Sequence, residues 1–230
     1  MSFALRVFVF LVMSAFSSLP SAQGQTPPPR EDNQSWNEIQ VIKPLSKNTD
    51  FMMIGVLRIG RDFGRPVDER IGAGVALKLN RHLTLMPTYL YIEQQPYAGF
   101  RIREHRIVFN ATAKFNWKQF TLTDRNLLER RVRQASGDFT VYRNRLQIDH
   151  PARLGAFKFK PFVADEIWYS TQPTSTGQQG WFRNRISVGI IKQFGERYNA
   201  EFFYLRQSDG ILRPGNVHAL GTLFRIFLSK

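Results

Sequence analysis

Charged residues recur in this chain in short sets spaced two apart. Glu104 and Arg106, Glu129 and Arg131, Arg143 and Arg145, and Arg183 and Arg185 are the clearest, with Arg125 ahead of the second set and Asp149 after the third. Arginine's planar fork bonds a carboxylate through two parallel hydrogen bonds and stays protonated. On an extended backbone, residues two apart share a face. Such sets can brace an interior, and where arginines outnumber carboxylates they draw anions inward.

The nucleophilic alternatives are thinner. His82 sits in a tight turn and His150 precedes Pro151, which reads as two solvated turn residues. His105 and His218 fall toward the outer ends of extended segments, where a lipid hydrolase would pair a histidine with a serine and an acid or amide. The serines Ser170, Ser175 and Ser208 lie in or beside loop-like stretches instead. Asp165 and Glu166 are adjacent on one segment, so their side chains point to opposite faces and do not converge. No G-x-S-x-G, H-E-x-x-H or phosphate-binding glycine loop occurs. The chain has no cysteine, which excludes thiolate metal sites, cysteine nucleophiles, disulfides and a lipid-anchored cysteine. No catalytic residue, metal site or cofactor is read from the sequence.

The elements that must carry these residues are strands. In Arg70–Asn80, Ile71, Ala73, Val75, Leu77 and Leu79 alternate with Arg70, Gly72, Gly74, Ala76, Lys78 and Asn80. In Arg103–Asn116, Ile107, Phe109, Ala111, Ala113 and Phe115 alternate with mostly polar residues. This two-residue period is the strand signature. Roughly eleven segments show it, each about nine to thirteen residues long, the length a tilted strand needs to cross a bilayer. They lie near 36–43, 51–62, 70–80, 83–93, 103–116, 119–132, 140–149, 157–169, 182–194, 198–207 and 217–228. The connections at 80–82, 117–118 and 195–197 are tight, whereas 94–102, 134–139, 170–181 and 208–216 are long and rich in Gly, Pro, Ser and Gln. Short inner turns and long outer loops are the habit of outer-membrane barrels. An odd count is awkward for an antiparallel barrel: either the leader adds a twelfth strand, or the segment at Trp36 is not a wall strand and ten remain.

The N-terminus carries one positive charge at Arg6, an apolar run over Val7–Phe16, and then Pro20, Ser21, Ala22 and Gly24. This is the layout of a secretory signal peptide, read over 1–24 with Ala22 as the alternative cut. A proline-rich disordered leader is read over 25–35 and an outer-membrane barrel over 36–230. The formal net charge is +14, or one less without Arg6. Export makes nucleic acid the least fitting partner for it. Outer-membrane lipid, small anions and the outer-membrane assembly machinery are the expected partners.

A soluble sandwich also alternates, but it puts apolar residues inside. Here the polar faces are dense in paired charges, and the apolar faces carry bulky sets such as Ile186, Val188 and Ile190, or Leu220, Phe224, Ile226 and Leu228. That is the inverted pattern of a membrane barrel. The expected lumen ladder is Glu38, Arg58, Glu104, Arg106, Arg125, Glu129, Arg131, Arg143, Arg145, Glu166, Arg183, Arg185 and Arg225, with Arg70, Lys78, Glu93 and Lys114 also inward. Trp36, Trp117, Trp168, Trp181 and Tyr198 read as interfacial girdles.

The ordered series Trp36-Asn37-Glu38, Glu104-His105-Arg106, Arg125 to Glu129 with Arg131, Arg143-Asn144-Arg145, Asp165-Glu166 and Arg183-Asn184-Arg185 resembles the bacterial outer-membrane barrel family catalogued as domain of unknown function 2490. The resemblance covers about Trp36 to Phe227 and implies a barrel of unknown activity. The stretch Arg125–Glu129 departs from the expected alternation, which points to a bulge there. The fold expected is all-β, an antiparallel transmembrane β-barrel of about 10–12 strands. The function expected is non-enzymatic, a structural barrel or a narrow, porin-like, anion-favouring pore with a basic lumen. A membrane-embedded lipid hydrolase or lipid-modifying enzyme with a rim histidine is the second reading.

Overall fold

The alternation resolves into one closed wall. The computed structural model describes residues 30–133, 137–171, 179–210 and 214–229; the stretch read as a signal peptide and the first residues of the expected leader lie outside them. The strands are β1 (Glu31–Pro44), β2 (Thr49–Gly60), β3 (Arg65–Lys78), β4 (Leu83–Tyr97), β5 (Phe100–Trp117), β6 (Phe120–Arg133), β7 (Phe139–Asp149), β8 (Ala152–Leu154), β9 (Phe157–Ser170), β10 (Gly180–Phe194), β11 (Tyr198–Asp209) and β12 (Asn216–Phe227). The short β8 pairs only with the start of β9. The other eleven form a continuous ring in which β7 pairs with β9, β9 with β10, and β12 with β1.

Eleven strands close without a twelfth or the loss of one, because the seam between β1 and β12 is parallel. It runs unbroken from Glu31 opposite Asn216 to Ile42 opposite Phe227; every other pairing is antiparallel. The choice between ten and twelve therefore falls away: the first segment is a full wall strand. That strand begins at Glu31, so Glu31–Ser35 belong to the wall and not to the leader. One end of the barrel carries the connections 45–48, 79–82, 118–119, 150–156 and 195–197, and is called the turn end. The other, the loop end, carries 61–64 and 98–99 and the adjoining ends of β6 and β7, β9 and β10, and β11 and β12. The long loop expected over 94–102 shrinks to Ala98-Gly99, with Gly99 at φ 75°, because β4 and β5 extend to Tyr97 and Phe100.

No bulge occurs at Arg125–Glu129. The registers of β6 with β5 and with β7 run through it unbroken, and Leu127 simply turns its apolar side chain inward, where it is buried. Register shifts lie instead at Arg58/Ile59, Gln94/Tyr97 and Trp181/Arg183.

Outward positions on the long strands are largely apolar and exposed, as with Ile71, Phe109, Val163, Val188, Leu220 and Phe224. Inward side chains fill the interior in place of a layered core. Trp36, Leu205, Val217 and Ala219 form one apolar cluster with Phe203 against it, and Phe139, Val141, Trp168 and Phe182 form another. Of the five residues read as girdle aromatics, Trp117, Trp181 and Tyr198 are exposed, but Trp36 and Trp168 are buried inside. Gly221 makes room for this packing: a Cβ there would enter the Phe203 ring.

Candidate functional site

The interior is organised by the two-residue period. Arg106 Nε donates to Glu104 Oε1 at 2.7 Å, and Arg131 Nε donates to Glu129 Oε2 at 3.0 Å, each pair standing on one face of one strand. Cross-strand contacts link the pairs. Arg133 reaches Glu104 at 2.6 Å, Arg106 lies 3.3 Å from Glu129, and Arg143 bridges Glu129 and Glu166, the latter at 2.6 Å. Arg185 lies 3.4 Å from the other Glu166 oxygen and donates to Gln207 at 2.8 Å. A single lattice thus crosses from β5 to β11. Its centre is dry: Glu104, Arg106 and Glu129 are at most 1% exposed.

The lattice wraps two indoles. The guanidinium carbons of Arg143, Arg183 and Arg185 lie 4.2, 4.2 and 4.3 Å from the Trp168 ring centroid. Arg58 lies 3.8 Å and Arg185 4.6 Å from that of Trp36. Flat guanidinium on a flat ring face satisfies a cation without a carboxylate. The Trp36 indole N–H donates to Gln34 at 2.6 Å, while Trp168 Nε1 has no partner among the described residues. With Ile92, Val141 and Phe182, these side chains fill the loop half of the lumen.

Below the indoles is a chamber of about 150 Å³. Arg58, Arg125, Arg143, Arg145, Arg185 and Arg225 line it against Glu38, Glu166 and Glu201, six cations to three carboxylates. Glu201 is taken by Arg225 at 2.6 Å, and Glu38 accepts from Gln40 at 2.6 Å. Glu166 is left to serve Arg143, Arg185 and, at 3.6 Å, Arg125. Arg145 forms no ion pair among the described residues and stands directly across from Arg125 in the β6–β7 register. Nε of Arg58 and of Arg125 lacks a partner among the described residues. The Arg125 side chain is 34% exposed, and that exposure is to the chamber. Toward the turn end, the inward lysines Lys78 and Lys160 are half exposed, so the chamber opens on that side.

All thirteen residues of the expected ladder point inward, but they do not act alike. Eight form or touch the lattice, and Arg145 stands beside it without an ion pair among the described residues. Arg183 pairs with Asp209 at 2.5 Å, Arg225 with Glu201, and Glu38 with Gln40, while Arg58 only stacks. Arg70 is inward and pairs with Asp68 at 2.5 Å. Glu93 is outward: it lies opposite Glu69 in the β3–β4 register and bonds Tyr91 and Arg101 at 2.7 and 2.9 Å. Unforeseen from sequence were Trp36, Trp168, Asp68, Gln207 and Asp209. Each sits two residues from another inward polar group or across from one, so strand parity was the signal for them.

The histidines have different company. His105 Nδ1 meets the Tyr89 hydroxyl at 2.6 Å, and His218 Nδ1 meets that of Tyr204 at 2.5 Å, both on the outer face near the loop end. Neither touches a serine among the described residues. No three potential metal ligands converge among them either. A shallow groove of about 410 Å³ over Val188, Phe202 and Leu220 is largely apolar, with Ser35, Tyr204 and Thr222 also in its lining. The outer wall carries polar groups among its apolar rows: Asn126 and Asn144 donate to Asp124 at 3.0 and 2.6 Å, Tyr142 donates to Asn126 at 2.5 Å, Asn184 donates to Asp165 at 2.5 Å, and at the seam Asn37 donates to Ser35 at 2.9 Å and accepts from Thr222 at 2.8 Å.

Residues 33–211 match the model of a family described as protein of unknown function (DUF2490). Among solved structures, the chain is similar in fold to the NanC porin in a rhombohedral crystal form, with a TM-score of 0.51 and 9% identity over 81% of this chain and 93% of that one. A second similar structure, an anion-selective porin from Comamonas acidovorans, has a TM-score of 0.40 and 13% identity, over 79% of this chain and 54% of that one. No curated protein matches the sequence.

Proposed function

The chain belongs to the DUF2490 family of unknown function, and from its interior we propose that it is an outer-membrane β-barrel, not an enzyme, with a braced lumen that favours small anions. The observation that carries this is the chamber, where six arginines face three glutamates. An uncompensated guanidinium surplus in a narrow, low-dielectric space attracts anions and repels cations. The lattice on the loop side is the brace, tying β5 to β11 through charge-assisted hydrogen bonds.

The membrane reading rests on the inverted faces. Contiguous exposed apolar patches above a few hundred Å² are rare on soluble monomers, yet long outward rows here are Ile, Val, Leu and Phe. The outer wall is then the lipid contact, and the tight turns face the periplasm, where export and the assembly machinery deliver the chain. Conductance of the refolded protein in a planar bilayer under a potassium chloride gradient tests the proposal. The expected result is discrete channels whose reversal potential lies toward chloride. Cation preference, or a silent bilayer from protein shown to be folded, would overturn the anion pathway and leave bracing alone.

A further inference from the structure

The anion-favouring reading can be carried to the class of anion, because the chamber has two unlike walls. Arg125 and Arg145 face it from β6 and β7. They are direct cross-strand neighbours, an arrangement of like charges that destabilises a sheet unless something neutral or negative sits between them. Glu166 offsets this only in part: its oxygens lie nearest Arg143 and Arg185, at 2.6 and 3.4 Å, it reaches Arg125 at 3.6 Å, and it stands across from Arg145 in the β7–β9 register without an ion pair to it. Diametrically across the ring stand β12, β1 and β2, which present Leu223, Trp36 and Val56, with Phe203 of β11 beside them.

We propose that the chamber is a binding site for a small organic monoanion, its carboxylate held between Arg125 and Arg145 and its apolar body against Trp36, Val56, Phe203 and Leu223. This rests on the reading of the lumen as anion-favouring. A volume of about 150 Å³ is several times one water's share of about 30 Å³ and below the ~300 Å³ at which drug-sized sites begin. The ligand is therefore a small acid. The Glu38 carboxylate on the far wall opposes a second negative charge, which makes it a monoanion. A bare inorganic ion would satisfy the arginines but leave the apolar wall wet.

Calorimetric titration of the folded barrel in detergent tests this with benzoate, acetate, chloride and benzamide. Benzoate is expected to bind saturably, acetate and chloride about tenfold more weakly, and benzamide not at all. Arg145→Met should weaken benzoate at least about tenfold, and Leu223→Asn should narrow the gap between benzoate and acetate. The ligand series on the unaltered protein decides even where a variant does not fold. Chloride or acetate binding as tightly as benzoate would overturn the organic-anion assignment. Equal binding of benzamide would overturn the arginine clamp, and so would absence of any binding. Chloride preference in the bilayer is measured separately, so the lumen reading can survive the loss of this site.

Discussion

Arg143 lies over Trp168, its guanidinium carbon 4.2 Å from the ring centroid, while its two terminal nitrogens reach Glu129 and Glu166. The indole supports the fork at the point from which it joins the two carboxylates. An Arg143 without Trp168 would keep its charge but lose that support.

Glu129 faces three arginines, Arg106, Arg131 and Arg143, while 1% exposed. E129Q keeps the shape and removes the charge, leaving buried cations without their counter-ion. Breaking a buried pair from one side costs about 3–5 kcal/mol. A lower urea midpoint for E129Q in detergent is the expected result. Replacing Glu129 and Arg131 together by Met should recover part of the loss, since Arg131 no longer needs a counter-ion while Arg106 and Arg143 still lose theirs. An E129Q midpoint equal to that of the unaltered protein would mean the lattice does not brace the wall.

Arg58 offers the contrary case. It stacks on Trp36 at 3.8 Å and forms no ion pair among the described residues. Arg58→Met removes a cation that no carboxylate was holding, so stability should change by no more than about 1 kcal/mol, the stacking loss being offset by relief of desolvation. The anion preference in the bilayer should fall. Retention of full preference would place the selective charge elsewhere in the chamber.

The rim histidines test the enzymatic alternative. His105 and His218 each share a hydrogen bond with a tyrosine on the outer face, and an exposed pair of this kind contributes little to folding. His105→Ala and His218→Ala should therefore leave the unfolding midpoint within about 0.5 kcal/mol and the conductance unaltered. Fatty-acid release from phospholipid vesicles by the unaltered protein, abolished in either variant, would establish a hydrolase instead.

Much of this interior was legible in the sequence, because strand parity is local. Once Glu104 is inward, so are Arg106, Val108 and Asn110, and the burial pattern of β5 follows that rule. Residue type points Trp36 and Trp168 to an interfacial girdle, but parity governs: each stands two residues from an inward glutamate, Glu38 and Glu166. Glu93 went wrong in the opposite sense, since its charge suggested the lumen while its parity with Tyr91 and Tyr89 put it outside. The closure was not legible at all. A parallel seam joins residues 185 positions apart, as between Glu31 and Asn216, and no local alternation distinguishes parallel from antiparallel partners. The chamber's imbalance was likewise hidden, because it depends on which carboxylates the lattice consumes.

Gly221 and Phe203 supply the last prediction. Gly221 faces inward on β12, directly opposite Phe203 on β11, and a Cβ at Gly221 would enter the Phe203 ring. Gly221→Ala therefore forces the ring off its rotamer and toward the chamber, at about 1–3 kcal/mol. Phe203→Ala alone should also destabilise, by about 3–5 kcal/mol, through the void it leaves. In the double variant the new methyl no longer meets a ring and occupies part of that void, so the two losses should fall short of additive by about 0.5–3 kcal/mol. Urea unfolding of the two single variants and the double variant measures the coupling. Strict additivity would mean that the ring and the glycine are not in contact in the folded barrel, and that the apolar wall of the chamber is held in some other way.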